Sequence, residues 1–240
     1  MPATVDQFAK ALAASGLMTA DDVKAFWNSL AADRRPRDGE ALAQLLVEAK
    51  HLTDFQAAQI LAGRGATLLM GDYVVLAEIG AGGMGQVYKA RHRRMDRVVA
   101  LKVMSSAAMK DEAAVKRFQR EVRAAAKLEH VNIVTAYDSG EAGKVKYLVM
   151  QFVDGGDLSS LVKSRGAIPV AKAANYVLQA ARGLAFAHAE GVIHRDIKPA
   201  NLLVDKKGVV KILDMGLARF EHGDDGLTAT EQVMLRRRCG

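Results

Sequence analysis

His194-Arg195-Asp196-Ile197-Lys198-Pro199-Ala200-Asn201 runs directly into the apolar triplet Leu202-Leu203-Val204. The stretch sets five polar functional side chains (His194, Arg195, Asp196, Lys198 and Asn201) beside a segment with the composition of a buried strand. Asp214-Met215-Gly216 follows shortly after. Two acids and an amide gathered around one loop suit Mg²⁺, a hard cation that takes oxygen ligands. His, Cys and Asp do not recur at zinc spacing.

Upstream, Tyr73–Ile79 is predicted as a strand, followed by Gly80-Ala81-Gly82-Gly83-Met84-Gly85 and by strands at Val87–Arg91 and Val98–Met104. A dinucleotide-binding glycine loop opens into a helix. This one opens into the β-favouring pair Val87-Tyr88, so it is predicted to cap a hairpin. The Walker pattern is missing too, because no lysine stands at the required place. What remains is a glycine-rich flap whose backbone amides can close over phosphates.

Lys102 lies inside the apolar strand VVALKVM, where an unpaired charge is costly. Two readings stand side by side: an edge-strand lysine whose head reaches water, or a lysine directed at phosphate and a carboxylate. A candidate carboxylate follows in a predicted helix, where Val115, Phe118 and Val122 share a face and Glu121 sits at its edge.

In content and order these motifs resemble the eukaryotic-like serine/threonine protein kinases of bacteria, from about Tyr73 to about Thr230. IGAGGMGQV is similar to that family's glycine-rich loop, VALK to its third-strand lysine motif and HRDIKPAN to its catalytic loop, while DMG stands where the family has DFG. The resemblance implies an α+β, bilobal kinase fold with a complete N-lobe and a partial C-lobe. It also implies transfer of the γ-phosphoryl group of ATP, with Mg²⁺, to Ser/Thr hydroxyls of protein substrates.

Catalytic roles implied by the resemblance fall on Asp196, Lys198, Lys102 and Glu121. Lys102 would hold the α- and β-phosphates, aimed by Glu121; Lys198 would steady the γ-phosphate; Asp196 would accept the hydrogen bond of the attacking hydroxyl. Asn201 and Asp214 would hold Mg²⁺. Ile79, Gly80, Ala81, Gly82, Gly83, Met84 and Gly85 would cover the nucleotide, with Val87, Ala100 and Leu203 around adenine. Met150 would be the gatekeeper, the backbone of Gln151 and Val153 would bond adenine, and Asp157 would reach the ribose. The lysine two residues after Asp196 resembles the serine/threonine branch.

Three departures from the family pattern stand out. Met215 replaces the usual Phe, apolar and of similar reach. Ala125 is smaller than the family's residue there, which would loosen packing around that helix. Beyond Asp214 no Ala-Pro-Glu motif is legible, no proline follows Pro199 and no tryptophan follows Trp27. A catalytic domain over 73–230, cut within its activation segment by a frameshift or early stop, is therefore expected, with 231–240 an atypical tail. Thr228 and Thr230 are candidate phosphosites. A helix predicted over Val170–Glu190 would then leave the face of Ala173, Tyr176, Val177, Ala180, Leu184 and Ala187 exposed. The alternative function is an ATP-binding or interaction fragment with little or no transferase activity.

Residues 1–66 read as a small all-α unit, either a spacer or a docking module. Thr4, Thr19 and Thr53 precede Gln7, Asp22 and Gln56 at capping-box spacing, although Asp22 is shorter than the standard partner. Superimposing Thr19 on Thr53 aligns Phe8 with Leu42, Leu12 with Leu46, Phe26 with Ile60 and Trp27 with Leu61, which suggests two repeated helical hairpins. Lone His51 reads as a surface residue, and Gly63-Arg64-Gly65 as a hinge between this unit and the first predicted strand.

Of the 240 residues, 50% are hydrophobic and 25% charged, which excludes a disordered tail and a collagen-like repeat. A single cysteine, Cys239, excludes an intrachain disulfide and suits a reducing, cytoplasmic setting. No signal peptide and no run of about 18 apolar residues is legible, so no membrane segment is expected. The net charge of +7 belongs to residues 71 onward, because residues 1–70 hold seven basic against eight acidic residues. The basic stretch Lys89–Lys102 reads as a solvated hairpin. Nucleic acid is set aside as a partner, because no aromatic residue for base stacking lies between Tyr88 and Phe118.

Overall fold

The structure, a computed structural model, describes residues 3–82, 85–109, 111–143 and 145–215, the side chains of Arg117 and Glu121 excepted. Expectations placed on Gly83, Met84, the Glu121 side chain, Gly216, Thr228, Thr230, Cys239 and the tail 231–240 lie outside the described residues, as does the expected cut in the activation segment. The chain divides into two units, Met1–Ser106 with Ala136–Phe152 and Ala107–Thr135 with Val153–Gly240.

In the first unit the threonine spacing does what it predicts. Thr4, Thr19 and Thr53 cap α1 (Val5–Ser15), α2 (Ala20–Ser29) and α4 (Asp54–Leu61), each with both bonds of the capping box. Asp22 closes its box after all: its Oδ2 accepts the Thr19 amide at 2.9 Å and the Thr19 hydroxyl at 2.6 Å. The cap backbone comes close enough to make up for the missing methylene. Asp38 caps α3 (Gly39–Glu48), so the caps of the two hairpins repeat as the aligned apolar residues do. Phe8 and Leu42, and Leu12 and Leu46, are fully buried pairs in one core.

Antiparallel strands follow: β1 (Leu69–Met70), β2 (Tyr73–Gly82), β3 (Gly85–His92), β4 (Arg97–Met104), β5 (Ala136–Ala142) and β6 (Val145–Gln151), in the order β1-β2-β3-β4-β6-β5. The glycine-rich segment is thus the end of a hairpin, with Gly82 paired to Gly85. The core containing Phe8 and Leu46 continues without a break through Val75, Ala90, Val99, Leu101, Tyr147 and Val149. The expected hinge is therefore not one. Gly65 is buried against Ser15, and Leu68 and Met70 carry the connection through the shared core.

The second unit holds α5 (Glu112–Ala125), β7 (Gly155–Asp157), α6 (Leu158–Arg165), α7 (Val170–Ala189), β8 (Leu202–Asp205) and β9 (Val210–Ile212), with strand order β7-β8-β9. Half of the α7 face expected to be exposed is buried, at Tyr176, Ala180 and Ala187, while Ala173 and Leu184 are half-buried. Tyr176 and Ala180 pack with Val204 and Val210, and Ala187 packs with Leu128, Ile133, Ile212 and Met215. These residues cover that part of the face. Val177 is 67% exposed, as expected, and Val170 and Leu178 are exposed too. At Gly183 an added Cβ would meet Ile212 Cδ1 at 2.8 Å and the Asn132 carbonyl at 3.0 Å, so glycine sets how closely α7 approaches. Among the described residues no helix is long and apolar enough to cross a membrane.

One core in the first unit implies one cooperative transition. Leu46→Ala is expected to cost about 2–5 kcal/mol, the range for a buried leucine. It should lower the protection of β2 and β4 amides together with that of α3, as read by native-state hydrogen exchange. Loss confined to the helices would show that the two parts melt separately.

Candidate active site

Side chains alternate along β4, so Ala100 and Lys102 leave one face of the sheet while Val99, Leu101 and Val103 leave the other. The register carries this across the sheet. Val87 lies opposite Lys102, and Met150 opposite Ala100, so Val87, Ala100, Lys102 and Met150 share the front face. Lys102 is buried at 6% exposure, in a central strand and not at an edge. Gln151 lies opposite Val99 on the back face, which leaves its backbone, and not its side chain, for a ligand on the front. The hairpin end demands glycine: Gly85 has φ 143°, and a Cβ there would sit 1.9 Å from the Val103 carbonyl oxygen.

In the second unit the loop before β8 is held by its own polar groups. His194, 2% exposed, donates from Nε2 to the Leu213 carbonyl at 2.8 Å, while its Nδ1 accepts the Asp196 amide at 3.3 Å. The contact with a carbonyl places a ring proton on Nε2. The Leu213 amide in turn donates to the Asn201 carbonyl at 2.9 Å, tying the segment ahead of Asp214 to the loop. Arg195 and Asp214 both take left-handed backbone, at φ 67° and 54°. Non-glycine residues held there need support from their surroundings.

Asp196 is gripped on one oxygen. Asn201 Nδ2 donates to the Asp196 carbonyl at 2.8 Å and to Oδ2 at 3.1 Å, and Lys198 Nζ stands 2.7 Å from the same Oδ2. Both side-chain contacts fall on Oδ2 and leave Oδ1 available. The Lys198 hydrogen bond, with that lysine's charge and the Asn201 bond, holds the Asp196 carboxyl below the usual carboxylate range against the opposing effect of burial. Asn201 uses its amide nitrogen for these bonds, so its oxygen, the atom a hard cation takes, is available. Asn201 and Asp214 therefore suit Mg²⁺ in donor chemistry. Among the described residues no cluster of three or more His, Cys, Asp or Glu could hold a metal.

Asp157 caps α6, its Oδ1 accepting the Ser160 amide at 2.8 Å and its Oδ2 the Ser160 hydroxyl at 2.6 Å. Burial pushes its carboxyl up, but the Ser160 bonds together with the Asp157 and Ser159 amides outweigh this and leave it below the ordinary range. Leu203 is its cross-strand partner, so these two predicted nucleotide residues meet. Met215 is buried beside Leu128 and Ile133, in keeping with an apolar residue in the Phe position. Sequence reasoning missed two supports. Asn132, 3% exposed, donates to the Val210 carbonyl and to Gln179, and so holds the segment before β5 to β9. The tie of His194 to Leu213 was also unread, although a histidine opening a polar loop beside a strand is a signal for such a bond.

Residues 73–235 match the protein kinase domain family. The chain belongs to that family. PknB of Mycobacterium leprae, a serine/threonine-protein kinase, is 40% identical over 160 residues, which are 65% of this chain and 26% of PknB. PrkC of Bacillus subtilis, also a serine/threonine-protein kinase, is 39% identical over 150 residues, 62% of this chain and 23% of PrkC. The crystal structure of the Mycobacterium tuberculosis PknI kinase domain matches with a TM-score of 0.55 at 34% identity, over 61% of this chain and 59% of that one. This chain thus spans about a quarter of the length of PknB and PrkC. The fold is the α+β kinase fold, its N-lobe sheet in the first unit and C-lobe elements in the second.

Removing the Lys198 ammonium should raise the Asp196 pKa toward the ordinary carboxylate value, observable by carboxyl-carbon NMR of Lys198→Ala against the parent. Because the folded pKa is depressed, any stability linked to Asp196 is present above its unfolded pKa and is lost as pH falls through the folded one. An unchanged titration would show that the ion pair does not form in solution.

Proposed function

We propose that this chain is an ATP-dependent serine/threonine protein kinase of the cytoplasm, acting on Ser/Thr hydroxyls of protein substrates. The observation that carries the reading is Asp196, held on Oδ2 by Lys198 and Asn201 with Oδ1 left for a hydroxyl. Transfer joins the substrate oxygen to the γ-phosphorus, breaks the bond to the bridging oxygen and releases ADP. Asp196 accepts the hydroxyl proton.

The protein's task in such a reaction is positioning and electrostatic stabilisation. Amides of the glycine-rich hairpin, from Ile79 to Gly85, receive phosphate oxygens. Lys102 holds the α- and β-phosphates, with Glu121 aiming it, and Lys198 steadies the γ-phosphate. Val87, Ala100 and Leu203 flank adenine, Met150 stands behind it, and the backbone of Gln151 and Val153 bonds it. Asp157 takes the ribose hydroxyls by sharing the oxygens that cap α6. Asn201 and Asp214 are the residues that would hold Mg²⁺, which when bound offsets charge on the phosphates.

Radiolabelled ATP and a generic basic protein test the activity. Phosphate incorporation should fall about 10²–10⁴-fold in Asp196→Asn, the usual contribution of a positioned base. Incorporation that survives the change would sink the assignment. Separately, Mg-ATP should raise the melting temperature of the parent and not that of Lys102→Met. An equal rise in both would place the nucleotide elsewhere.

A further inference from the structure

The helices α1–α4 precede the residues that match the kinase family, and the function proposed above gives them no part. Their apolar contact with the sheet is on its back face, away from Lys102. A directional contact accompanies it. In the boxes at α1 and α2 the side-chain bonds stay within their own turn. At α4 the box closes in the same way, Thr53 N–H to Gln56 Oε1 and Gln56 N–H to Thr53 Oγ1. Its two remaining donors leave the helix. Gln56 Nε2 donates to the Val75 carbonyl at 2.7 Å, and the Thr53 hydroxyl to the Leu76 carbonyl at 2.6 Å. Gln56 is 4% exposed, so its bond is shielded from water.

Those two carbonyls belong to the place where β2 breaks register. Val75 faces Ala90 and Ala77 faces Lys89, so Leu76 is the extra residue of a β-bulge. Neighbouring β1 pairs with β2 only at Tyr73 and Val74, so from Val75 onward no strand among the described residues lies beside the outer edge. Successive carbonyls of a regular strand point to opposite edges. The bulge lets two consecutive ones meet a single helix end.

The bulge also decides which way later residues face. It puts Ala77 on the front, opposite Lys89, and Glu78 on the back, opposite Tyr88. A second shift at Ile79 follows, and then Gly80 and Gly82 pair with Val87 and Gly85. A one-residue slip would reverse every side chain along this stretch. On the other arm Phe55 of α4 lies against Tyr88, ring centroids 6.0 Å apart.

We propose that α4 is a positioning clamp on the glycine-rich hairpin, in which Gln56 and Thr53 hold the β2 bulge and thereby set the glycines that receive the nucleotide phosphates. The ligand in this statement rests on the kinase reading above; the clamp on β2 does not.

Matched substitutions in the full chain separate clamp from cap. Gln56→Glu keeps the capping acceptor and loses the donor to Val75, while Gln7→Glu makes the same change in the α1 box, where nothing reaches a strand. Two readouts are taken: hydrogen exchange of residues 77–82 and 85–88 without nucleotide, and Mg-ATP affinity by calorimetry. Gln56→Glu should speed exchange and weaken Mg-ATP by about tenfold each, the equivalent of one hydrogen bond, and Gln7→Glu should do neither. Thr53→Val should reproduce the effect and Thr53→Ser, which keeps the hydroxyl, should not. That threonine pair decides the matter if Gln56→Glu fails to fold. Equal exchange in Gln56→Glu and Gln7→Glu, or raised exchange with unchanged Mg-ATP affinity, overturns the proposal. If the parent chain binds no Mg-ATP, the kinase reading fails, and the exchange contrast still decides whether α4 holds the bulge.

Discussion

Successive side chains of β4 leave the sheet on opposite sides, and in this protein each side is committed to a different task. Val99 and Leu101 turn toward the helices and are almost completely buried there, together with Val149 and Tyr147 of the neighbouring strand. That burial leaves the sheet no freedom to slip, because a shift of one residue would drive Lys102 into an apolar core. The orientation of Ala100, Lys102, Val87 and Met150 thus follows from what lies on the reverse face. Helices with no chemistry of their own hold a chemical surface in place.

A different economy governs the second unit. Its loop is polar and partly exposed, so apolar burial alone could not define it. Direction comes from a few hydrogen bonds whose inner ends are shielded: His194 to the Leu213 carbonyl, and Asn132 to the Val210 carbonyl. Breaking either would strand a buried polar group, which costs more than such a bond contributes in net terms. The Lys198–Asp196 pair is of another kind. Both side chains are about half exposed, and ion pairs at such sites add little stability. Its consequence is electrostatic and local, keeping Asp196 ionised and leaving one oxygen available.

The motif residues were legible because phosphoryl transfer needs particular groups in a particular order along the chain, and linear order survives without any fold. The glycine hairpin was legible from the residues on its C-terminal side, since Val87 and Tyr88 favour a strand over a helix. The helix caps were legible for the same local reason, down to the threonine and its partner three residues on. The exposed face expected on α7 is exposed only in part, because helical periodicity shows which residues want burial, not which neighbours provide it. Strands β8 and β9, short and close in sequence, cover Tyr176, Ala180 and Ala187 in a way periodicity does not encode. The hinge expected at Gly63-Arg64-Gly65 failed similarly: glycine permits a bend, but Ser15 and Ile60 packed around Gly65 exclude one there.

By itself, then, the sequence determined the kinase family, the order of its functional groups and the local grammar of caps and turns, all of which depend on neighbours a few residues apart. Only the tertiary structure decided that the helical segment and the N-lobe sheet share one core, and that Gln56 and Thr53 turn from capping their own helix to holding the β2 bulge. Those outcomes join residues about twenty positions apart, through donors that look identical in sequence to those of Thr4 and Gln7. A capping box satisfies its own turn with half of its hydrogen-bonding capacity. Where the other half goes depends on what the fold places beside it.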